Sequence, residues 1–390
     1  MKIKKVSFLF CLLFCVYCTL LYSIPLYSPA WGFSLDLPED YEFIEGNGLD
    51  RYSFENPEGA RFDLRIYHAE AASTAPYANL EDLVLDVEER LNNMGSITFF
   101  TYRQKEVWII ELIFQLQGPG TSPVNMSGWA LAMELESANP GAMVPMLLAM
   151  AYGPAEDQDL QILHLSTLDS LAPARSDTLA PGPITEFAYP RERAVTRRVF
   201  GTDIYASFFM EDAEAAQSLI EREFKILIPF ADSPFWREAW MRYYRAIYRD
   251  SYERLADTAL QMERKLNVSG DELLFAQNVL NWVQSFNYER DLTSSDFINL
   301  VDAAIEGRGD CDSRAMLWAL VLNKANIASG IMVSPHYGHA MGLADIEGEG
   351  ARFEVNNQSL LVAETTAPIP IGLIEQTVSD PQYWLGIMFD

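Results

Sequence analysis

The sequence is poor in the residues that cross-link chains or bind metals. It holds four cysteines and four histidines in 390 residues. Cys11, Cys15 and Cys18 fall inside an apolar N-terminal run, residues 6–21, so a chain that loses this run keeps Cys311 alone. One thiol excludes an intrachain disulfide, and exported proteins usually pair their cysteines or avoid them. No His/Cys set has metal-ligand spacing, so neither a metal nor another cofactor is expected. Basic residues are also scarce: 28 Lys and Arg stand against 55 Asp and Glu, a formal net charge of −27. Such a field repels phosphate backbones and anionic lipid surfaces, which argues against a nucleic-acid partner. Beyond the N-terminus no apolar run is long enough to span a bilayer, and no repeat of solenoid period is present.

The chain start carries an export signature. Lys2, Lys4 and Lys5 precede the apolar run, and Ser28-Pro29-Ala30 sets small residues at the −3 and −1 positions before Trp31. This pattern predicts a signal peptide over residues 1–30, cleaved after Ala30. The rival is an uncleaved signal anchor. Cys15-Val16-Tyr17 lacks the small residue that lipid modification of Cys18 needs. The expected location is periplasmic or extracellular, with no membrane span after cleavage, or membrane-anchored if the segment stays. Loss of the three lysines takes the charge to about −30.

The length allows two or three domains, and 49% hydrophobic with 12% aromatic residues can build their cores. The pattern predicts an α+β protein. Residues 31–171 read as an N-terminal α/β sandwich. Residues 33–37 and 61–68 alternate as half-buried strands do, residues 80–91 form an amphipathic helix, and strands follow at 97–102, 106–115, 128–136 and 147–152 before a helix at 157–171. An antiparallel sheet backed by helices is expected. This element order resembles the PsbP-like sandwich, a binding or scaffolding fold. His68 and His164 stand alone here and read as structural.

The Pro-rich stretch 172–183 reads as a linker. Residues 184–268 follow as a connecting region, with a short strand–strand–helix–strand unit and then helices. Arg191, Arg193, Arg197 and Arg198 form a local basic cluster, read as a solvated face. Phe235, Trp236, Trp240, Tyr243, Tyr244, Ile247 and Tyr248 recur at helical spacing, a pattern expected of packing. A C-terminal α+β domain then covers residues 269–390.

The chemistry lies there. Gly307-Arg308-Gly309-Asp310-Cys311 is a flexible turn, and a strongly apolar helix follows it. Cys311 is thereby placed at a helix N-terminus, where free N–H groups and the dipole favour a thiolate and a lowered thiol pKa, and where the same groups could hold an oxyanion. Residues 331–334 and 337–343 read as strands. His339 opens the second of them and is preferred as general base over His336, which sits in the turn beside Pro335. Strands at 352–355 and 359–365 complete a run read as an antiparallel meander, expected to carry Glu364 back toward His339. Asp345 shares a strand with His339 but lies about 20 Å along it. Glu364 is therefore the expected orienting acid of a nucleophile–base–acid set.

Gly309-Asp310-Cys311, the apolar helix after it, Gly338-His339-Ala340 and Glu364-Thr365-Thr366 resemble, in that order, the bacterial transglutaminase-like superfamily. Asn278-Val279-Leu280-Asn281-Trp282-Val283-Gln284 is similar to the helix before the cysteine there. The resemblance covers about residues 271–370. It implies a papain-like core with Cys311 as nucleophile, His339 as base and Glu364 as acid. Two features depart from the family: aspartate is its commoner acid, and Ala340-Met341-Gly342-Leu343-Ala344 replaces its aromatic run. The resemblance implies acyl transfer through a Cys311 thioester on a protein or peptide substrate, by peptide or amide hydrolysis more than by transamidation. The alternative is a catalytically inactive envelope protein that uses the same core to bind a partner. Arg308-Gly309-Asp310 matches an integrin tripeptide by coincidence.

Overall fold

The computed structural model describes residues 25–389 apart from 69–76, 119, 121, 137–143, 268–269 and 291–294. The apolar run read as an export signal, with Lys2, Lys4, Lys5, Cys11, Cys15 and Cys18, lies outside the described residues. The fold is mixed α+β with antiparallel sheets.

Strands β1 (Leu26–Tyr27) and β2 (Ser34–Leu35) form a small hairpin. Ser28 is buried inside it, and its N–H donates to the Phe33 carbonyl at 2.9 Å. The Ala30–Trp31 bond lies in the hairpin turn, so a chain that starts at Trp31 loses β1. The alternation over 33–37 yields only two paired residues, because the partner strand is itself two residues long and Ser34 bridges Ala172.

A seven-stranded antiparallel sheet follows. It is built from β3 (Glu42–Gly46), β4 (Arg51–Glu55), β5 (Arg61–Tyr67), β6 (Ile97–Tyr102), β7 (Lys105–Leu116), β8 (Val124–Glu134) and β9 (Met146–Pro154), in the order β3-β4-β5-β9-β8-β7-β6. Helix α1 (Leu80–Leu91) starts where Asn79 accepts from the Asp82 N–H and ends at Asn92 in the left-handed region, the two capping devices that define a helix length. Its Leu80, Leu83, Val84 and Val87 cover one sheet face with Ile110, Leu112 and Ala130. Helices α2 (Leu160–Asp169) and α3 (Pro183–Ala188) cover the other face, where Leu168, Leu171 and Ile184 meet Phe62, Leu64 and Leu131. Strands β3 and β4 had no counterpart in the sequence patterns; β3 is an edge strand exposed along its whole length, so burial imposes no periodicity on it.

The stretch 172–183 is largely buried. The Tyr102 hydroxyl donates to the Pro181 carbonyl at 2.9 Å, and Arg249 donates to Ala180 at 2.9 Å. Strands β10 (Ala194–Arg198) and β11 (Tyr205–Phe209) form a hairpin, followed by α4 (Asp212–Leu227), α5 (Trp236–Arg254) and α6 (Ala256–Leu266). The strand expected after α4 is instead a 3-10 turn, Ile228–Phe230, containing Pro229, which has no N–H to give a ladder. In α5, Tyr243, Tyr244, Ile247 and Tyr248 are buried in the core.

Helices α4 to α6 share that core with the C-terminal elements. These are α7 (Glu272–Gln284), β12 (Asn287–Tyr288), α8 (Leu300–Glu306), β13 (Arg308–Gly309), α9 (Cys311–Lys324), β14 (Ser329–Ser334), β15 (His339–Ala344), β16 (Arg352–Val355), β17 (Gln358–Ala363) and β18 (Leu385–Met388). The last five strands order as β16-β17-β15-β14-β18. This corrects the meander. In a meander β17 would run parallel to β15 and carry its end to the far side from His339. Here β17 pairs directly and antiparallel with β15, Gly342 opposite Ala363, and β16 is pushed to the edge. A two-residue hairpin, Asn356-Asn357, with both residues at positive φ (50° and 66°), joins β16 to β17, a conformation asparagine tolerates.

Helix α9 lies on β14 and β15, and Gly342 sets how closely. A Cβ there would stand 2.4 Å from a Trp318 ring carbon. Gly342→Ala should therefore cost about 1–3 kcal/mol by overpacking, read from the urea midpoint of unfolding. An unchanged midpoint would show that α9 shifts freely on the sheet.

Candidate active site

The turn that presents Cys311 is pinned on several sides. Gly307 ends α8 with φ +65°, and a Cβ there would stand 2.1 Å from the Phe200 ring; both the dihedral and the space require glycine. Strand β13 pairs parallel with β12, and Arg314 donates to the Gly309 and Phe286 carbonyls at 3.1 and 2.8 Å. Asp310 caps α9, its Oδ1 accepting from the Ser313 N–H at 2.8 Å. Cys311 is the first helical residue and is 3% exposed. The N–H groups of Cys311 and Asp312, in the first turn, have no intrahelical acceptor.

The base and acid meet at one end of the sheet. His339 opens β15 after Gly338 at φ +58°. Its Nε2 stands 2.7 Å from Glu364 Oε2. The other Glu364 oxygen accepts from the Thr366 N–H at 2.7 Å and from the Thr366 hydroxyl. Gln284 of α7 donates to the Glu364 carbonyl at 2.8 Å and fixes the main chain there. Burial pushes the Glu364 carboxyl up, but hydrogen bonds from His339 and Thr366 outweigh it and hold the group below its ordinary range. An ionised Glu364 accepts from Nε2–H, which leaves Nδ1 as the ring nitrogen able to take a proton.

The thiol sits beside this pair. The backbone N–H of Ala340, the residue after His339, lies near its sulfur and favours the thiolate. The thiol donates to Asp312 Oδ2 at 3.4 Å, and the Tyr244 hydroxyl donates to the other Asp312 oxygen. Here the electrostatics reverse the expectation of a lowered thiol pKa. Burial, then the charges of Asp312 and Asp310, push the thiol well above its usual range, and the nearby Ala340 N–H opposes them only in part. The helix terminus is outweighed because the group has left water and faces two acids. Asp310 and Asp312 are themselves pushed up, chiefly by burial. Asp310 is 1% exposed, and its Oδ2 has no hydrogen-bond partner.

The resting site is thus a neutral thiol beside a His–Glu pair. Iodoacetamide labelling of Cys311 should be slower at pH 7–8 than that of a free thiol. Asp312→Asn removes a nearby negative charge and should accelerate labelling at every pH in that range. Fast labelling of the unchanged protein near pH 7 would contradict this charge arrangement.

The remaining histidines lie elsewhere. His336 stacks on Tyr383 with ring centroids 4.0 Å apart, and Trp384 lies edge-on to His339 at 6.2 Å, so an aromatic rim borders the base. His68 stands 3.0 Å from Asp50. His164 is fully buried with no hydrogen-bond partner among the described residues, and burial takes its pKa to about 4. Asp345 follows the opposite end of β15 from His339. Arg191, expected in a solvated cluster, instead pairs with the buried Asp212 at 3.1 Å. Among the described residues no three His, Cys, Asp or Glu side chains are grouped to hold a metal ion, and no helix is long and apolar enough to cross a membrane. Asp312, Tyr244 and Gln284 had no assigned role from the sequence. Asp310-x-x-Ser313 is a helix-cap spacing that could have been read; nothing local points from Tyr244 to Asp312.

No family model matches the chain, and no curated protein matches it. Similar solved structures include a protein of Bacteroides thetaiotaomicron VPI-5482, 11% identical over 58% of this chain and 76% of that one, with a TM-score of 0.25. LpqN of Mycobacterium tuberculosis, involved in cell envelope biogenesis, is 11% identical over 38% of this chain and 90% of its own, with a TM-score of 0.26. The cyanobacterial PsbP (CyanoP) of Synechocystis sp. PCC 6803 is 12% identical over 38% and 91%, with a TM-score of 0.27. Likenesses this distant assign no function, so the site's own geometry has to carry it.

Proposed function

We propose that this chain is an exported, transglutaminase-like thiol enzyme that hydrolyses a peptide or amide bond through an acyl-Cys311 intermediate. The observation that carries the reading is the 2.7 Å contact of His339 with Glu364, beside a thiol at the first residue of a helix. In the first step His339 Nδ1 takes the thiol proton as sulfur bonds to the substrate carbonyl carbon. The two free N–H groups at the start of α9 are the donors available to the developing oxyanion. The imidazolium, stabilised by Glu364, then protonates the leaving nitrogen, the C–N bond breaks, and a thioester remains. In the second step Nδ1 takes a proton from water as hydroxide attacks the thioester carbonyl, the C–S bond breaks to release the carboxylic acid, and the imidazolium returns the proton to the sulfur. The neutral resting thiol makes proton transfer part of the attack and does not require a preformed thiolate.

A second reading, a non-enzymatic envelope protein that binds a partner with the same core, is favoured by the near-complete burial of Cys311 and its raised pKa. Incubation with p-nitrophenyl acetate separates the two. The enzyme reading expects a burst of p-nitrophenolate and an acetyl mass on the peptide containing Cys311, both lost in Cys311→Ser. No adduct on Cys311 would leave the binding reading.

A further inference from the structure

Away from the thiol, a cavity of about 580 Å³ lies between the N-terminal region and helices α4 and α5, closed at one side by the end of β18. This volume falls in the range of small-molecule sites. Its walls are apolar, with Leu35, Leu179, Leu219, Tyr248 and Phe389 among them. Its polar lining is dominated by five arginines: Arg175, Arg222, Arg242, Arg245 and Arg249.

The carboxylates around these arginines are already engaged. Arg222 pairs with Asp169 and Glu223, Arg242 with Glu39 and Glu223, and Arg245 with Asp36. Asp250 is held by Arg254 at 2.8 Å. Arg249 pairs with no carboxylate among the described residues; it donates to the carbonyls of Asp169, Ser170, Leu171 and Ala180. Arg175 is exposed and its guanidinium has no partner among the described residues. Arg242 is 2% exposed, and its Nη2 has no hydrogen-bond partner among the described residues. A protein of formal charge −27 therefore keeps uncompensated guanidinium charge on one apolar cavity.

We infer that this cavity binds a small amphipathic anion, a carboxylate or phosphate head on an apolar body. Arg175 is the exposed donor available to the head, and the leucine, tyrosine and phenylalanine walls take the body. The site is independent of Cys311.

Isothermal titration calorimetry of protein purified from cells expressing the full sequence tests this with octanoate, octyl phosphate and octanol. Both anions should bind at least about tenfold more tightly than octanol, the effect of one charge-assisted hydrogen bond. Tighter octanoate assigns a carboxylate head, and tighter octyl phosphate a phosphate head. Arg175→Ala, at an exposed position, should weaken both anions by about tenfold and leave octanol unchanged, and Ala246→Leu should block all three. Equal binding of octanol and the anions, no binding of any probe, anion binding unchanged in Arg175→Ala, or octanoate binding unchanged in Ala246→Leu would each overturn the inference.

Discussion

His339→Ala should leave the chain folded and slow the acetylation of Cys311 by p-nitrophenyl acetate by about 10²–10⁴-fold, the usual contribution of a positioned general base. The loss is expected to be large because the thiol starts neutral: burial, Asp312 and Asp310 all disfavour its anion, so attack needs a proton acceptor in place. His339 lies at the rim with a side chain 19% exposed, so its removal costs little packing. Glu364→Gln tests the same device from behind. Glutamine can still hydrogen-bond Nε2, but its amide can donate as well as accept, so it no longer enforces the tautomer with Nδ1 free, nor does it stabilise the imidazolium. A loss of about 10²-fold or more is expected. Far-UV circular dichroism and the urea midpoint report whether either variant is folded. Wild-type acetylation rates in a folded His339→Ala would remove the base from the mechanism.

Arg242→Ala should cost about 3–5 kcal/mol of stability, the loss expected when one partner of a buried ion pair is removed. Arg242 is 2% exposed and lies between Glu39, in the N-terminal region, and Glu223 of α4, both buried. Burial pushes Glu39 up even with the arginine present, whereas Arg222 and Arg242 overcome burial at Glu223 and hold it down. Without the guanidinium both carboxyls are driven upward. A carboxyl whose folded pKa lies above its unfolded value binds more protons when folded, so its contribution to stability falls as pH rises. The destabilisation should therefore be larger at pH 7 than at pH 5, measured as urea midpoints at the two values. Arg242→Lys, which keeps the charge and loses the fork, should recover part of the loss. A midpoint for Arg242→Ala within error of the parent at pH 7 would show that this ion pair does not hold the N-terminal region to the helices.

Local features of this kind differ in how far the sequence announces them. Helix Leu80–Leu91 was legible to the residue, because an apolar stripe and the flanking asparagines specify it within a few turns. The start of α9 at Cys311 was legible from a glycine turn followed by an apolar run, and the strand at His339 from its position directly after Gly338. The exposed strand β3 was not, since no burial pattern is imposed on it. The pairing of His339 with Glu364 depends on β17 inserting next to β15, a choice of strand order that no single strand's pattern contains.

By itself, then, the sequence determined which residue types stand near the ends of which elements: one thiol at a helix start, one imidazole at a strand start, one carboxylate near the end of another strand. These follow from periodicity, caps and turns, which act over a few neighbouring residues. Only the tertiary structure decided the strand order that joins the base to its acid. It also decided the burial that keeps the thiol protonated, the approach of Tyr244 to Asp312 across 68 positions of sequence, and the arginine-lined cavity. Each of these depends on distances through space and on exclusion of water, and both are set only when separate apolar faces close on one another.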